Sequence, residues 1–282
     1  MRTYLGKGIV LALLGLGGSA SAGVPGALAP AAFAKWLGEA GASAVDAGQA
    51  LAEAAQARDL GFGDSRSAVR MVLHDGRGRS SERALRILEL EGEESAGDRS
   101  LVLFDSPPDQ RGTALLTWNQ SAADDDQWLY LPALRRVKKI AARNRSGPFV
   151  GSEFAFEDLT AEDAENYHWR YLDRAECALG DCYRVERVPV EDWSGYSRQI
   201  AWYDADALRL ARVEYFDRKG EHLKTLDAGA WVEGEGGYWR AGYMHMENHV
   251  TGRRTELFWS PHAFGTGLDA SDFSTNALRR TR

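Results

Sequence analysis

The chain has 282 residues, enough for one large domain or two small ones, with 44% hydrophobic and 27% charged residues, ordinary proportions for a globular protein. Its formal charge is −7, and an acidic chain with one basic stretch is a poor binder of nucleic acid, whose affinity rests on phosphate neutralisation. Nine Trp, ten Tyr and ten Phe are many for this length, and each can bury roughly 150–250 Å².

Residues 1–22 read as a cleaved signal peptide. Arg2 and Lys7 give a positive start, and the run GIVLALLGLGG is about eleven residues long, short for a membrane span. Ala20-Ser21-Ala22 supplies the small residues of a cleavage site, so the mature chain is expected to begin near Gly23 in the periplasm. A transmembrane anchor is the competing reading. Losing residues 1–22 removes two basic and no acidic groups, which takes the formal charge to −9.

Residues 23–60 are Ala-rich and predict one or two helices ending at Gly61-Phe62-Gly63. Their apolar stripe is narrow, which suits close packing on a sheet. From Ser67 the apolar period changes from 3.6 to 2. Strands are predicted at residues 68–74, 83–90, 100–105, 112–118, 127–131 and 135–141. After a break at residues 146–166 they resume at 167–172, 183–190, 197–203, 212–216, 223–226, 239–247 and 255–260. Asp75-Gly76-Arg77-Gly78, Asp217-Arg218-Lys219-Gly220 and Thr251-Gly252 are the turns between some of them. Within the break, Thr160 is expected to cap a short helix. About thirteen short strands without helical crossovers argue for an antiparallel sheet, a sandwich or an open barrel. No linker divides the chain, so residues 61–282 are expected to form one β-rich domain to which the helical segment belongs.

Chemistry-bearing motifs are sparse. Cys177 and Cys182 flank the turn residues Gly180-Asp181 and predict a disulfide closing a hairpin loop. His245 and His249 are four apart, but in a strand that separation is about 13 Å, too far for one zinc ion. Asp124-Asp125-Asp126 and Asp204-Ala205-Asp206 lack the ligand spacing of a calcium loop. No G-x-S-x-G elbow, phosphate loop or dinucleotide fingerprint occurs in the mature chain. Catalytic residues, metals and cofactors are therefore not expected, and a hydrolase built on convergent carboxylates has no motif behind it.

Two features keep a bland and a functional reading each. The run Arg135, Arg136, Lys138, Lys139, Arg143 and Arg145 is either a solvated edge strand or a docking patch for anionic headgroups or an acidic partner. Trp118, Trp128, Tyr130, Trp202, Tyr203, Tyr215, Phe258 and Trp259 are either packed core or the lining of a hollow within a curled sheet.

At Gly112-Thr113-Ala114, at Trp128 to Val137 (WLYLPALRRV) and at Gly151-Ser152-Glu153-Phe154, the chain resembles the LolA-like family of outer-membrane lipoprotein-sorting proteins. Gly195-Tyr196-Ser197-Arg198, Tyr215-Phe216-Asp217-Arg218 and Met246 to Gly252 (MENHVTG) are similar to the same family. The resemblance spans roughly residues 55–280. It implies a mainly β fold, a strongly curved antiparallel sheet forming an unclosed β-barrel with helices across its concave face. It also implies a carrier that shelters acyl chains of a lipoprotein or lipid, with only transient membrane contact. An RND-type inner-membrane exporter or an outer-membrane acceptor would be the partner. On this reading Trp118, Trp128, Tyr130, Trp202, Tyr215 and Trp259 line the hollow, and Arg135, Arg136, Lys138 and Lys139 dock headgroups or the partner. Opening would involve the N-terminal helix or a mobile loop from Ser146 to Glu153. The alternative is a periplasmic accessory of an envelope exporter that carries no cargo.

Overall fold

Alternation of apolar and polar residues places successive side chains of a strand on opposite faces of its sheet, and here both faces acquire a cover. The computed structural model describes residues 28–39, 41–92, 97–120, 125–160 and 163–279. The expected signal peptide lies outside these residues. Two α-helices come first, α1 (Pro30–Glu39) and α2 (Ala44–Ala57). The side chain of Ser43 caps α2 by accepting from the amide of Asp46, which satisfies one otherwise orphaned donor.

The strands in chain order are β1 (Asp64–His74), β2 (Ser80–Leu90), β3 (Arg99–Ser106), β4 (Ala114–Trp118), β5 (Asp126–Leu131) and β6 (Arg136–Ile140). They continue with β7 (Tyr167–Cys177), β8 (Gly180–Pro189), β9 (Tyr196–Asp204), β10 (Leu210–Asp217) and β11 (His222–Gly229). Last come β12 (Val232–Glu233), β13 (Trp239–Arg240), β14 (Tyr243–Asn248), β15 (Arg254–Trp259) and β16 (Ala263–Phe264). The main sheet runs in the order β6-β5-β4-β3-β2-β1-β15-β14-β11-β10-β9-β8-β7, and β16 pairs with the start of β1. Every recorded pairing is antiparallel. The end strands β6 and β7 are not neighbours in that order, so the curved sheet is an unclosed β-barrel.

The strand expected over residues 239–247 is divided. Trp239–Arg240 pairs with Val232–Glu233 in a separate hairpin, and the main sheet resumes only at Tyr243. Gly242 marks the break. A side chain there would meet the carbonyl oxygen of Ala230 at 2.6 Å, so only glycine permits this close passage of two main chains.

The concave face holds the principal core. Val69, Met71, Leu85, Val102, Leu115, Val185, Val213 and Leu257 point inward from strands across the whole sheet. Helices α1 and α2 complete it with Phe33 and Leu51, both with no exposed surface. The Phe33 ring meets Tyr183 edge-on at 5.1 Å, and burying such side chains contributes about 1.5–3 kcal/mol each. The small residues Ala47, Gly48, Ala50 and Ala54 are what let α2 lie so near the sheet.

The opposite face is covered as well. In the first half of the sheet Leu88, Leu101, Leu103 and Leu116 point outward, and the chain after β16 folds back over them with Leu268, Phe273 and Leu278. The break between β6 and β7 is a series of short 3-10 turns that inserts Phe149, Phe154 and Phe156 into the inner core. The first residues of the expected Thr160-capped helix, 161 and 162, lie outside the described residues, and a short 3-10 turn, Ala164–Asn166, comes after them. Thr160 follows the turn Phe156–Leu159 and donates its hydroxyl to the Glu157 carbonyl at 3.0 Å.

Candidate functional site

The last turns of α2 do not seal against the sheet. Beneath them lies a cavity of about 350 Å³, within the range of small-ligand sites. Its wall is aromatic and aliphatic, with Trp169 from β7, Tyr203 from β9, Leu210 from β10, Trp239 from β13 and Met244 from β14. Ala52 and Ala55 form the helical roof. Trp231 closes one side, and its indole N–H is buried without a hydrogen-bond partner. Trp169 by contrast donates to the Ala164 carbonyl at 2.7 Å, which fixes its ring.

Charge gathers at the same cavity. Asp59, Glu89, Asp98 and Asp163 line it together with Arg58, Arg209 and Arg240. Arg209 is held by the buried carboxylate of Asp204, with bonds of 3.0 and 3.2 Å, and lies 4.4 Å from the Trp239 ring centre. Arg240 pairs with Asp59 and sits near the rings of Phe62 and Phe264. Burial pushes the Asp98 carboxyl upward, and the nearby Glu91 and Glu89 push it the same way. Asp163 is likewise raised by burial, then by Asp98 and Glu165. A carboxylate surrounded by carboxylates in a partly dry site binds its proton more tightly for both reasons.

Helix α2 is tied to the cavity's edge by one side chain. The Gln56 amide donates to Asp163 at 2.9 Å and accepts from the Ala164 amide at 3.1 Å. Farther back, Gly48 rests on the main chain of Arg170 and Tyr171 in β7.

The six aromatic residues expected to line a hollow fall into three separate clusters, and none of them lines this cavity. Trp118, Trp128 and Tyr130 point to the outer face, under the returning C-terminal chain, where the Trp118 indole donates to the Phe273 carbonyl at 2.8 Å. Trp202 packs beside the disulfide on the outer face of the other half. Tyr215 is interior but pressed against Tyr196, with ring centres 4.9 Å apart. Trp259 packs partly against the core and borders a different surface depression near Phe264. The cause is strand parity: Leu115 and Leu129 face inward, so Leu116, Trp118, Trp128 and Tyr130 must face out. The expected disulfide between Cys177 and Cys182 is present.

The basic run divides as well. Arg135, Arg136, Lys138 and Lys139 are exposed on or beside the end strand β6. Lys139 pairs with Asp126 at 2.5 Å and lies over Trp128. Arg145 is 5% exposed and pairs with Glu191 at 3.3 Å, so it belongs to the interior.

The loop expected to move is clamped. Arg83 donates to the Val150 carbonyl at 2.5 Å, and Glu153 meets Asn248 at 2.9 Å and Arg253 at 3.1 Å. Just beyond it, Asp158 and Lys224 form a buried ion pair at 2.5 Å with Tyr196 donating to the same carboxylate. Glu157 accepts from the Ser194 hydroxyl and the Gly195 amide. Burial, with Asp158 adjoining, pushes the Glu157 carboxyl up to about 7. These polar anchors hold the loop against the strands beneath it.

Trp231 stands among glycines in the stretch from Gly229 to Gly242, outside any clean alternation, and Trp239 reads only as the first residue of a strand. Their aromatic density was the available signal. The pairing of Asp98 with Asp163 had none, since 65 positions separate them.

A family model described as uncharacterized proteins matches residues 96–280. No curated protein matches the chain in sequence. A crystal structure of an outer membrane lipoprotein-sorting protein domain from Vibrio parahaemolyticus is 44% identical, with a TM-score of 0.81, covering 84% of this chain and 100% of that one. A DUF1329 family protein from Desulfovibrio piger is 29% identical, with a TM-score of 0.79 and coverages of 84% and 99%. A LolA superfamily protein from Nitrosomonas europaea is 18% identical, with a TM-score of 0.65 and coverages of 82% and 98%, a likeness of fold.

Proposed function

The chain belongs to the LolA-like family of outer-membrane lipoprotein-sorting proteins, and from that membership we propose that it is a periplasmic carrier sheltering an acyl chain of a lipid or lipoprotein beneath α2. The observation that carries this reading is the aromatic-walled cavity of about 350 Å³ under a helix held at its end by one amide side chain. It describes a binding protein and not an enzyme.

An acyl chain gains about 0.8 kcal/mol for each methylene withdrawn from water. Lifting α2 exposes the wall formed by Trp169, Trp239 and Met244, and closing it removes that wall and the cargo from water together. The bulk of the sheet need not move, because the Asp158–Lys224 clamp holds the opposite loop in place. Arg135, Arg136, Lys138 and Lys139 then serve as the contact with a donor or acceptor, an RND-type inner-membrane exporter or an outer-membrane acceptor. Their exposure on an end strand suits a transient encounter steered by charge.

A fluorescent fatty-acyl probe tests the carrier reading. Saturable binding that is lost when Ala55 becomes Trp supports it, and absence of saturable binding sinks it. Changing Arg135, Arg136, Lys138 and Lys139 together to Glu separates the roles: the carrier keeps its lipid and loses delivery. The second reading, an accessory without cargo, is favoured by how fully the rest of the inner face is packed, with Phe33, Tyr183, Phe149 and Leu51 wholly buried. It predicts that the same reversal abolishes partner crosslinking in a protein that never holds lipid.

A further inference from the structure

We propose that the cavity under α2 selects amphiphiles whose head group ends in an ammonium, with the tail along the tryptophan wall and the ammonium at Asp98 and Asp163. This inference rests on the carrier reading and specifies its ligand.

Two of the three cations lining the cavity are already engaged. Arg209 is committed to the buried Asp204 and to the face of Trp239. Arg240 is committed to Asp59. Glu89, Asp98 and Asp163 have no ion pair among the described residues, and Arg58 is the one cation at the cavity in the same condition. Asp98 accepts from the Gly92 amide and Asp163 from the Gln56 amide, neutral donors that leave both formal charges standing. Burial raises each carboxyl first and carboxylate neighbours add to it, with Arg240 offsetting part of the effect at Asp98; both carboxylates line the same cavity.

A partly dry, negative site lined with indole rings suits an organic cation. Carboxylates supply the charge, and aromatic faces tolerate an alkylated ammonium that a hydrated metal ion would not leave water to meet. The Trp231 N–H, buried and unpartnered, is a ready donor to an ester or phosphate oxygen of the same head group. An anionic head would instead bury its charge beside three unpaired carboxylates against the single unpaired cation Arg58, at a cost that grows as water is excluded. The exposed basic side chains of β6 are not among the residues lining this cavity, so they do not offset that field at short range.

The test uses three single-chain C12 amphiphiles below their micelle concentrations: dodecyltrimethylammonium, dodecyl maltoside and dodecyl sulfate. Binding to the full mature chain is followed by tryptophan fluorescence and calorimetry at low and at moderate salt. The expected result is at least tenfold tighter binding of the ammonium than of the sulfate, with the neutral head between. The Asp98→Asn/Asp163→Asn variant should lose most of that preference. The Glu82→Gln/Glu221→Gln variant, which removes the same net charge at two exposed sites, should keep it. Equal binding of ammonium and sulfate, or tighter sulfate binding, overturns the proposal while leaving a carrier in place. An equal loss of preference in both variants overturns it too, by tracing the effect to overall charge. If none of the three heads binds, the carrier reading itself has failed. The ranking on the unaltered protein needs no variant to fold.

Discussion

Gly48→Ala sets two known effects against each other at the point where α2 touches the sheet. Alanine in a helix interior is favoured over glycine by about 1 kcal/mol. Here, however, a Cβ on residue 48 would stand 2.7 Å from the Arg170 nitrogen, 2.8 Å from the Tyr171 nitrogen and 2.9 Å from the Arg170 carbonyl carbon. All three are main-chain atoms of β7, so no side chain can swing aside. Restoring ordinary contact at about 3.4 Å requires α2 to withdraw by about 0.7 Å. Overpacking costs about 1–3 kcal/mol; with only main chain able to yield, the upper part of that range, about 2–3 kcal/mol, applies, so the clash should outweigh the propensity gain of about 1 kcal/mol and leave a net loss of about 1–2 kcal/mol. For a chain of this size each kcal/mol moves Tm by about 2–4 °C. Thermal unfolding by circular dichroism should therefore show Gly48→Ala below the unaltered protein by a few degrees. A variant as stable as the parent, or more stable, would refute the close seating of α2.

Other predictions concern the clamp. Lys224→Met strands the Asp158 carboxylate, whose side chain is 3% exposed, and should cost about 3–5 kcal/mol in urea unfolding. Adding Asp158→Asn should recover much of the loss, and equal stabilities for single and double variants would show that the pair is not coupled. Burial pushes the Glu157 carboxyl up to about 7 from an ordinary 4.5, so the folded state holds the proton more tightly. Its contribution to stability is complete below about 4.5 and is lost as pH rises through about 7. Asp125, raised to about 6 chiefly by burial, acts in the same direction. Tm should therefore rise between pH 8 and pH 5, and Glu157→Gln should flatten that rise; an unchanged slope would remove Glu157 as its source.

Much of the sheet was legible because period-two alternation survives wherever one face of a strand is buried and the other is not. The thirteen predicted strands correspond to the main path, apart from the division at Gly242, where a requirement of main-chain approach left no mark on hydropathy. The curved, unclosed barrel itself came from motif resemblance. Which face of each strand looks inward was not legible, because the outer face is apolar too: β4 reads Ala-Leu-Leu-Thr-Trp, buried on both sides. The cover that makes it so, Leu268, Phe273 and Leu278, sits in an irregular tail with no period. That tail is why Trp118, Trp128 and Tyr130 looked like candidates for a hollow. The loop from Ser146 to Glu153 looked mobile because its Gly, Ser and Pro are loop formers. Its anchors Arg83 and Asn248 lie on distant strands, and Arg253 lies in the turn between β14 and β15. The cavity has the same character, since it joins a helix end, three β-hairpins and two acidic loops brought together only by the closing of the sheet.

The most direct test is native mass spectrometry of the protein purified gently from its own compartment, beside the Ala55→Trp variant, whose new ring would fill the space under the helix roof. One bound lipid is expected in the unaltered protein and none in a variant that folds with an unchanged circular dichroism spectrum. A protein that arrives empty, or a variant that keeps its full lipid load, would contradict it.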